Sequence, residues 1–163
     1  MSCSRQSITQ AWNHASPLTA RAFFRNLLED VDRLNDAGGR LLVSPNVEPE
    51  VIRRASHHGM VTMPGVFTPT EAFAAIRAGA SALKFFPASV LGADGIKAVR
   101  AVLPKDMPVG AVGGVSEADF ATYFAAGVNC FGLGSSLYKA GFGVADVRER
   151  ALRAVAAWDA IAG

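Results

Sequence analysis

Ala82-Leu83-Lys84-Phe85-Phe86-Pro87 is a short apolar run that carries one amine and is closed by proline. Bounded by Gly79 before it and a small-residue loop after it, the run reads as a buried strand. Immediately upstream, Thr68-Pro69-Thr70-Glu71 reads as a helix start. Thr68 is the cap, Pro69 takes the first helical position where its missing N–H costs nothing, and Glu71 completes a capping box. That helix, with Ala72, Phe73 and Ile76 apolar, runs to Gly79. Downstream, a helix is expected around Gly95 to Leu103, then a strand from Val109 to Val112 ended by Gly113-Gly114. Helix, strand, helix, strand is the rhythm of a parallel α/β fold.

The rhythm extends both ways. Toward the amino end, a helix from Glu29 to Ala37 carries Val31 and Leu34 on one face and stops at Gly38-Gly39. The strand Leu41-Leu42-Val43 follows, then the loop Ser44-Pro45-Asn46. Pro49 and Glu50 open a helix with Val51, Ile52 and Ala55 inward, closing at Gly59, and Met60 to Met63 form a strand turned by Pro64-Gly65. Toward the carboxyl end, Ser116 caps a helix whose first turn holds Glu117 and Asp119, where acids suit the positive end of the helix dipole. Asn129 to Leu133 is a strand, Gly134-Ser135-Ser136 its loop, and Val144 to Ile161 the last helix. Runs apolar on both faces between such helices point to a parallel sheet or barrel wrapped by helices.

The 163 residues, half of them hydrophobic and 18% charged, suit one ordinary globular core. The length is short for a closed eight-stranded βα barrel, which typically takes about 250 residues. Cys3 and Cys130 lie far apart without metal-ligand spacing, which suggests a reducing compartment rather than a disulfide framework or a zinc site; a cytoplasmic setting is the default expectation. A net charge of +2 gives no footprint for nucleic acid. No apolar run reaches the roughly 18 residues that span a bilayer. The first 28 residues differ in texture: they hold Arg5, Arg21 and Arg25 but no acid. They read as an atypical leader, either a transit segment or the product of a misplaced start or frame error, with the fold proper occupying 29–163.

Chemistry in such folds collects at the carboxyl ends of the strands. Lys84 stands between Leu83 and Phe85, so strand alternation turns it to the face opposite its neighbours. Burial there lowers an ammonium pKa and yields a nucleophilic amine; the alternative is a lysine that snorkels to solvent or pairs with an acid. Gly113-Gly114 and Gly132-Leu133-Gly134-Ser135-Ser136 end successive strands. Backbone N–H groups of glycine loops can approach a phosphate closely, although each glycine pair alone also fits a tight strand-to-helix turn. His57-His58 and the arginines Arg53-Arg54 and Arg148, Arg150 and Arg153 read as solvated helix faces, and Glu71 as a capping group. Ser135 and Ser136 have no plausible His–Asp partnership for hydrolase chemistry.

Taken together, Ser44-Pro45-Asn46, Pro64-Gly65 with Thr68-Pro69-Thr70-Glu71-Ala72, Ala82 to Pro87, Ala111-Val112-Gly113-Gly114-Val115 and Gly132-Leu133-Gly134-Ser135-Ser136-Leu137-Tyr138 resemble the KDPG/KHG class I aldolases. The similarity runs from about Glu29 to Ile161. It implies a TIM-type (β/α)8 barrel, of which about the last five βα units are present, and a homotrimer. It also implies cleavage of a sugar acid phosphate to pyruvate and glyceraldehyde 3-phosphate, with neither metal nor other cofactor. By this resemblance Lys84 is the Schiff-base lysine, Gly113, Gly114, Gly134, Ser135 and Ser136 hold the substrate, chiefly its phosphate, and Pro64-Gly65 and Pro87 shape the rim. Val112 stands where the gluconate-specific relatives usually carry Thr, which implies the 2-dehydro-3-deoxy-6-phosphogalactonate branch.

The resemblance also implies three earlier strands, with a carboxylate-binding Arg and a general-base Glu, for which these residues offer no counterpart. The expectation is a chain with little or no turnover, since loss of a general base typically costs about 10²- to 10⁴-fold. The competing readings are a 2-dehydro-3-deoxy-6-phosphogluconate aldolase and a non-catalytic phosphate-binding or assembly fragment.

Overall fold

The computed structural model describes residues 28–163, which fall into two compact units divided between Leu83 and Lys84. The leader assigned to residues 1–28 therefore lies outside the described residues except for Leu28.

The first unit opens with α1 (Leu28–Asp36), β1 (Leu41–Ser44), α2 (Pro49–His57), β2 (Val61–Val66) and α3 (Pro69–Arg77). β1 and β2 pair in parallel, with Leu41 opposite Val61 and Ser44 opposite Pro64. Val31 and Leu34 of α1 close on Leu42, Val51, Ala55 and Met60, so the two inward helical stripes and the strand share one apolar cluster. On the outer side Asp32 accepts from Arg54 Nε at 2.7 Å and Nη2 at 2.8 Å, and pairs with His58 Nε2 at 2.7 Å. His58 is thus tied to α1 rather than solvated as the sequence suggested, and the two donors hold the Asp32 carboxyl well below the usual carboxylate range. The capping box is formed: Thr68 Oγ1 accepts from the Glu71 amide at 3.3 Å, and the Glu71 carboxylate accepts from the Thr68 and Phe67 amides at 2.8 Å each.

One expectation fails here. Pro64-Gly65 does not turn the chain out of β2, which continues to Val66 with Pro64 and Gly65 both buried. The reason is close approach: a side chain on Gly65 would collide with the carbonyls of Ser44 and Pro45, so the glycine lets two backbones meet inside the strand. Of the apolar residues of α3, Ala72 and Ala75 are buried, whereas Phe73 is exposed. Thr62, fully buried, and Ser81 satisfy each other before the next strand, each side-chain oxygen accepting from the other's amide at 3.1 Å.

β3 (Leu83–Phe85) spans the boundary between the units. The second unit continues with α4 (Ala88–Arg100), β4 (Val109–Val112), a 3₁₀ turn at Glu117–Asp119, α5 (Phe120–Ala125), β5 (Cys130–Gly132) and α6 (Val144–Ala162). α4 begins earlier than periodicity indicated because its first turn is separated from the rest by a break at Gly92, φ 70°. Ser116 does start the next helical segment, its amide and hydroxyl both donating to the Asp119 carboxylate at 2.9 Å. β4 and β5 pair in parallel, Val112 opposite Gly132. Phe120 stacks on Phe131 at 4.1 Å, and Trp158 of α6 meets Phe124 and Phe131 edge-on at 5.9 and 6.0 Å, which docks the last helix on α5 and β5. Among the described residues no helix is long and apolar enough to cross a membrane.

Candidate active site

Strand β3 buries all three of its residues, Lys84 among them. Lys84 is 2% exposed, which excludes a snorkelling side chain. Burial pushes its ammonium down to about 8, because the charged form loses water. Its Nζ lies over the Phe86 ring, 4.9 Å from the centroid, a contact available to the cation through the ring quadrupole.

Phe86 carries the geometry onward to the first glycine loop. The Phe86–Pro87 peptide bond is cis. Gly113 lies so close to this segment that a Cβ there would stand 3.0 Å from the Phe86 ring and 3.2 Å from the Pro87 Cα. The Ser89 amide donates to the Gly113 carbonyl at 3.0 Å. Gly113 and Gly114 have φ of 92° and 72°, the left-handed region that side-chain-bearing residues avoid, so the double glycine is dictated by backbone shape. Tyr123, buried on α5, donates its hydroxyl to the Ala88 carbonyl at 3.1 Å and holds the segment from the other side.

The second glycine loop joins the first through a serine. Ser136 Oγ donates to the Val115 carbonyl at 2.9 Å. Its hydroxyl proton is thereby engaged in fastening one loop to the other. Gly134 and Ser135 are exposed on the same turn, which closes with the Leu137 and Tyr138 amides donating to the Gly134 carbonyl at 3.0 and 2.9 Å. Val112 is half-buried on β4, and a Cβ on Gly132 would lie 2.6 Å from its Cγ2, so the valine fills the space its partner leaves.

Lys84, Gly113, Gly114 and Ser136 are therefore connected through Phe86 and Val115 by named contacts within the second unit. Ser89 and Arg150 belong to the same network and were not singled out from the sequence. The sequence pattern puts Arg150 on an exposed helix face, yet it is half-buried, its Nη1 donates to the Ser136 carbonyl at 3.0 Å, and its guanidinium lies over Phe142 at 4.5 Å. Arg150 lies four residues before Ala154, which the structure buries, so the two share the inward side of α6. Arg153 does face outward, bonded to Glu117 and Glu149 at 3.2 and 2.6 Å. Asp94 is exposed, and among the described residues no cluster of His, Cys, Asp or Glu could hold a metal ion.

Residues 27–154 match the family model described as KDPG and KHG aldolase. The chain is 68% identical over 133 residues to the "Probable 2-dehydro-3-deoxy-6-phosphogalactonate aldolase" of Rhizobium meliloti (strain 1021), a match covering 82% of this chain and 63% of that protein. It is 49% identical over 130 residues to the "2-dehydro-3-deoxy-6-phosphogalactonate aldolase" of Escherichia coli (strain K12), covering 80% of this chain and again 63% of the relative. A solved structure described as "Native KDPGal structure" superposes with a TM-score of 0.81 at 47% identity, over 83% of this chain and 66% of that one. The chain thus spans just under two thirds of the length of these curated relatives. Its α/β fold, with five βα units described, is part of the TIM-type aldolase fold. The chain belongs to the KDPG and KHG aldolase family.

Proposed function

We propose that this chain is a class I aldolase acting on 2-dehydro-3-deoxy-6-phosphogalactonate, with Lys84 as its nucleophile and the Gly113-Gly114 and Gly134-Ser135-Ser136 loops holding the phosphate. The observation that carries the proposal is the buried amine of Lys84, lowered to about 8 and set one contact away from the double glycine. Relatives at 68% and 49% identity bear the name of this aldolase, which supports the same reading.

The chemistry follows from the amine. Neutral Lys84 adds to the C2 carbonyl of the keto acid, and with one proton taken up from solvent water leaves to give a protonated imine. The C3–C4 bond then breaks, its electron pair drawn toward the imine nitrogen to leave an enamine, and glyceraldehyde 3-phosphate departs. Protonation of C3 and hydrolysis release pyruvate and restore the amine. The C4 hydroxyl proton needs an acceptor, which an imine nitrogen does not supply. Val112 is the residue that favours the galactonate over the gluconate epimer in this reading, and the assembly is a cytoplasmic homotrimer.

The test is borohydride trapping of the purified chain with pyruvate, followed by peptide mass mapping, with turnover of both epimeric substrates measured beside it. An adduct on Lys84 is the expected result. A folded chain that forms no adduct, while a full-length relative traps in parallel, overturns the aldolase reading in favour of a phosphate-binding or assembly role.

A further inference from the structure

The last helix of the second unit reaches the candidate phosphate loops through one side chain. Arg150 donates Nη1 to the carbonyl of Ser136 at 3.0 Å, and Ser136 donates Oγ to the carbonyl of Val115 at 2.9 Å. These two bonds run from α6 through the loop after β5 to the loop after β4. The guanidinium is itself held in place, lying over the Phe142 ring at 4.5 Å. A planar, permanently charged group anchored on an aromatic face is a rigid donor rather than a wandering surface cation. Its bond to a carbonyl draws electron density along that peptide toward the cation. It also sets a permanent positive charge against the backbone of the turn that carries Ser136.

We infer that Arg150 is a positioning residue for anion binding: it fixes the Gly134-Ser135-Ser136 turn against Gly113-Gly114 and gives that turn its positive field. This rests on the reading of the two glycine loops as the phosphate site. Arg153, one turn further along α6, supplies the internal comparison. It carries the same charge but bonds Glu117 and Glu149, not the loop.

The experiment titrates inorganic phosphate into the chain by calorimetry and, separately, traps pyruvate on Lys84. Removing a charge-assisted hydrogen bond predicts a phosphate Kd about tenfold weaker in Arg150→Met, with pyruvate trapping unchanged. Arg150→Lys keeps the charge but not the planar fork, and a loss of roughly threefold is expected. Arg153→Met is expected to bind phosphate like the parent chain. A parent chain that binds phosphate while Arg150→Met matches it overturns the inference about Arg150 alone. Should Arg150→Met fail to fold by circular dichroism, an Arg150→Lys chain with parental phosphate affinity overturns it instead. Equal weakening in Arg153→Met would reduce the effect to net charge and also overturn it. A folded parent chain that binds no phosphate overturns the underlying reading of the loops, and the inference with it.

Discussion

The hydroxyl of Ser89 occupies the space that a side chain on Gly114 would need, with the Ser89 Cβ 2.7 Å from the same point. Gly114 is therefore constrained twice, by its left-handed backbone and by its neighbour. Gly114→Ala is expected to lower unfolding free energy by about 2–3 kcal/mol, of which the backbone conformation accounts for about 1–2 kcal/mol. Adding Ser89→Gly should recover the collision and leave the backbone part. Urea unfolding of the two single variants and the double variant measures the coupling, and additivity would contradict the contact.

Lys84 makes a pH prediction with a definite sign. Its folded value of about 8 lies below its ordinary one, so the unfolded chain binds the extra proton and stability rises with pH from about 8 until the unfolded value is passed. Below about 8 the buried ammonium carries its full desolvation cost. Lys84→Met should abolish pyruvate trapping while raising stability at pH 7 by about 1–3 kcal/mol, a gain that fades toward pH 10. In the parent chain the trapping rate should climb through about pH 8, as the neutral amine appears. Melting temperatures and trapping rates from pH 6 to 10 check both.

Val112 and Gly132 are partners across β4 and β5, and the valine methyl fills what the glycine leaves empty. Gly132→Ala is expected to cost about 1–3 kcal/mol by overpacking, and Val112→Ala in the same chain to return most of it. Thermal unfolding of the single and double variants reads this directly.

Asp32 ties α1 to α2 through Arg54 and His58. Its carboxyl is held below the ordinary range, so its contribution is present above the unfolded value and is lost as the pH falls toward the folded one. Asp32→Asn should lower the melting temperature at pH 7, lose that difference in strong acid, and show less dependence on salt than the parent. A difference that persists unchanged from pH 7 to pH 2 would contradict the ion pair as its source.

The alternation of helices and strands was legible because capping and stopping residues are local. Thr68, Pro69 and Glu71 act within a few residues of one another, and the structure forms the capping box they announce. Pro64-Gly65 misled because its reason is not local: the glycine answers to the carbonyls of Ser44 and Pro45, about 20 residues away along the chain. Lys84 could be found as one amine in an apolar run, and its burial removes the snorkelling alternative, while the burial of Leu83 and Phe85 beside it leaves the alternation argument untouched. His58 and Arg150 could not be placed by counting charges. Their partners, Asp32 and the Ser136 carbonyl, lie on other elements, and nothing in a run of arginines or a histidine pair says which member turns inward.

The aromatic contacts of the last helix give the second unit an optical reporter. Trp158 meets Phe124 and Phe131 edge-on and stands in the same cluster as Tyr123, 6.5 Å from Phe131, whose hydroxyl engages Ala88. Lifting α6 away would move the indole from hydrocarbon into water and shift its emission to the red. In a Trp12→Phe chain, which leaves Trp158 as the one indole, the helix that carries Arg150 thus signals its own detachment, and fluorescence against denaturant can time that event relative to the loss of a trappable Lys84.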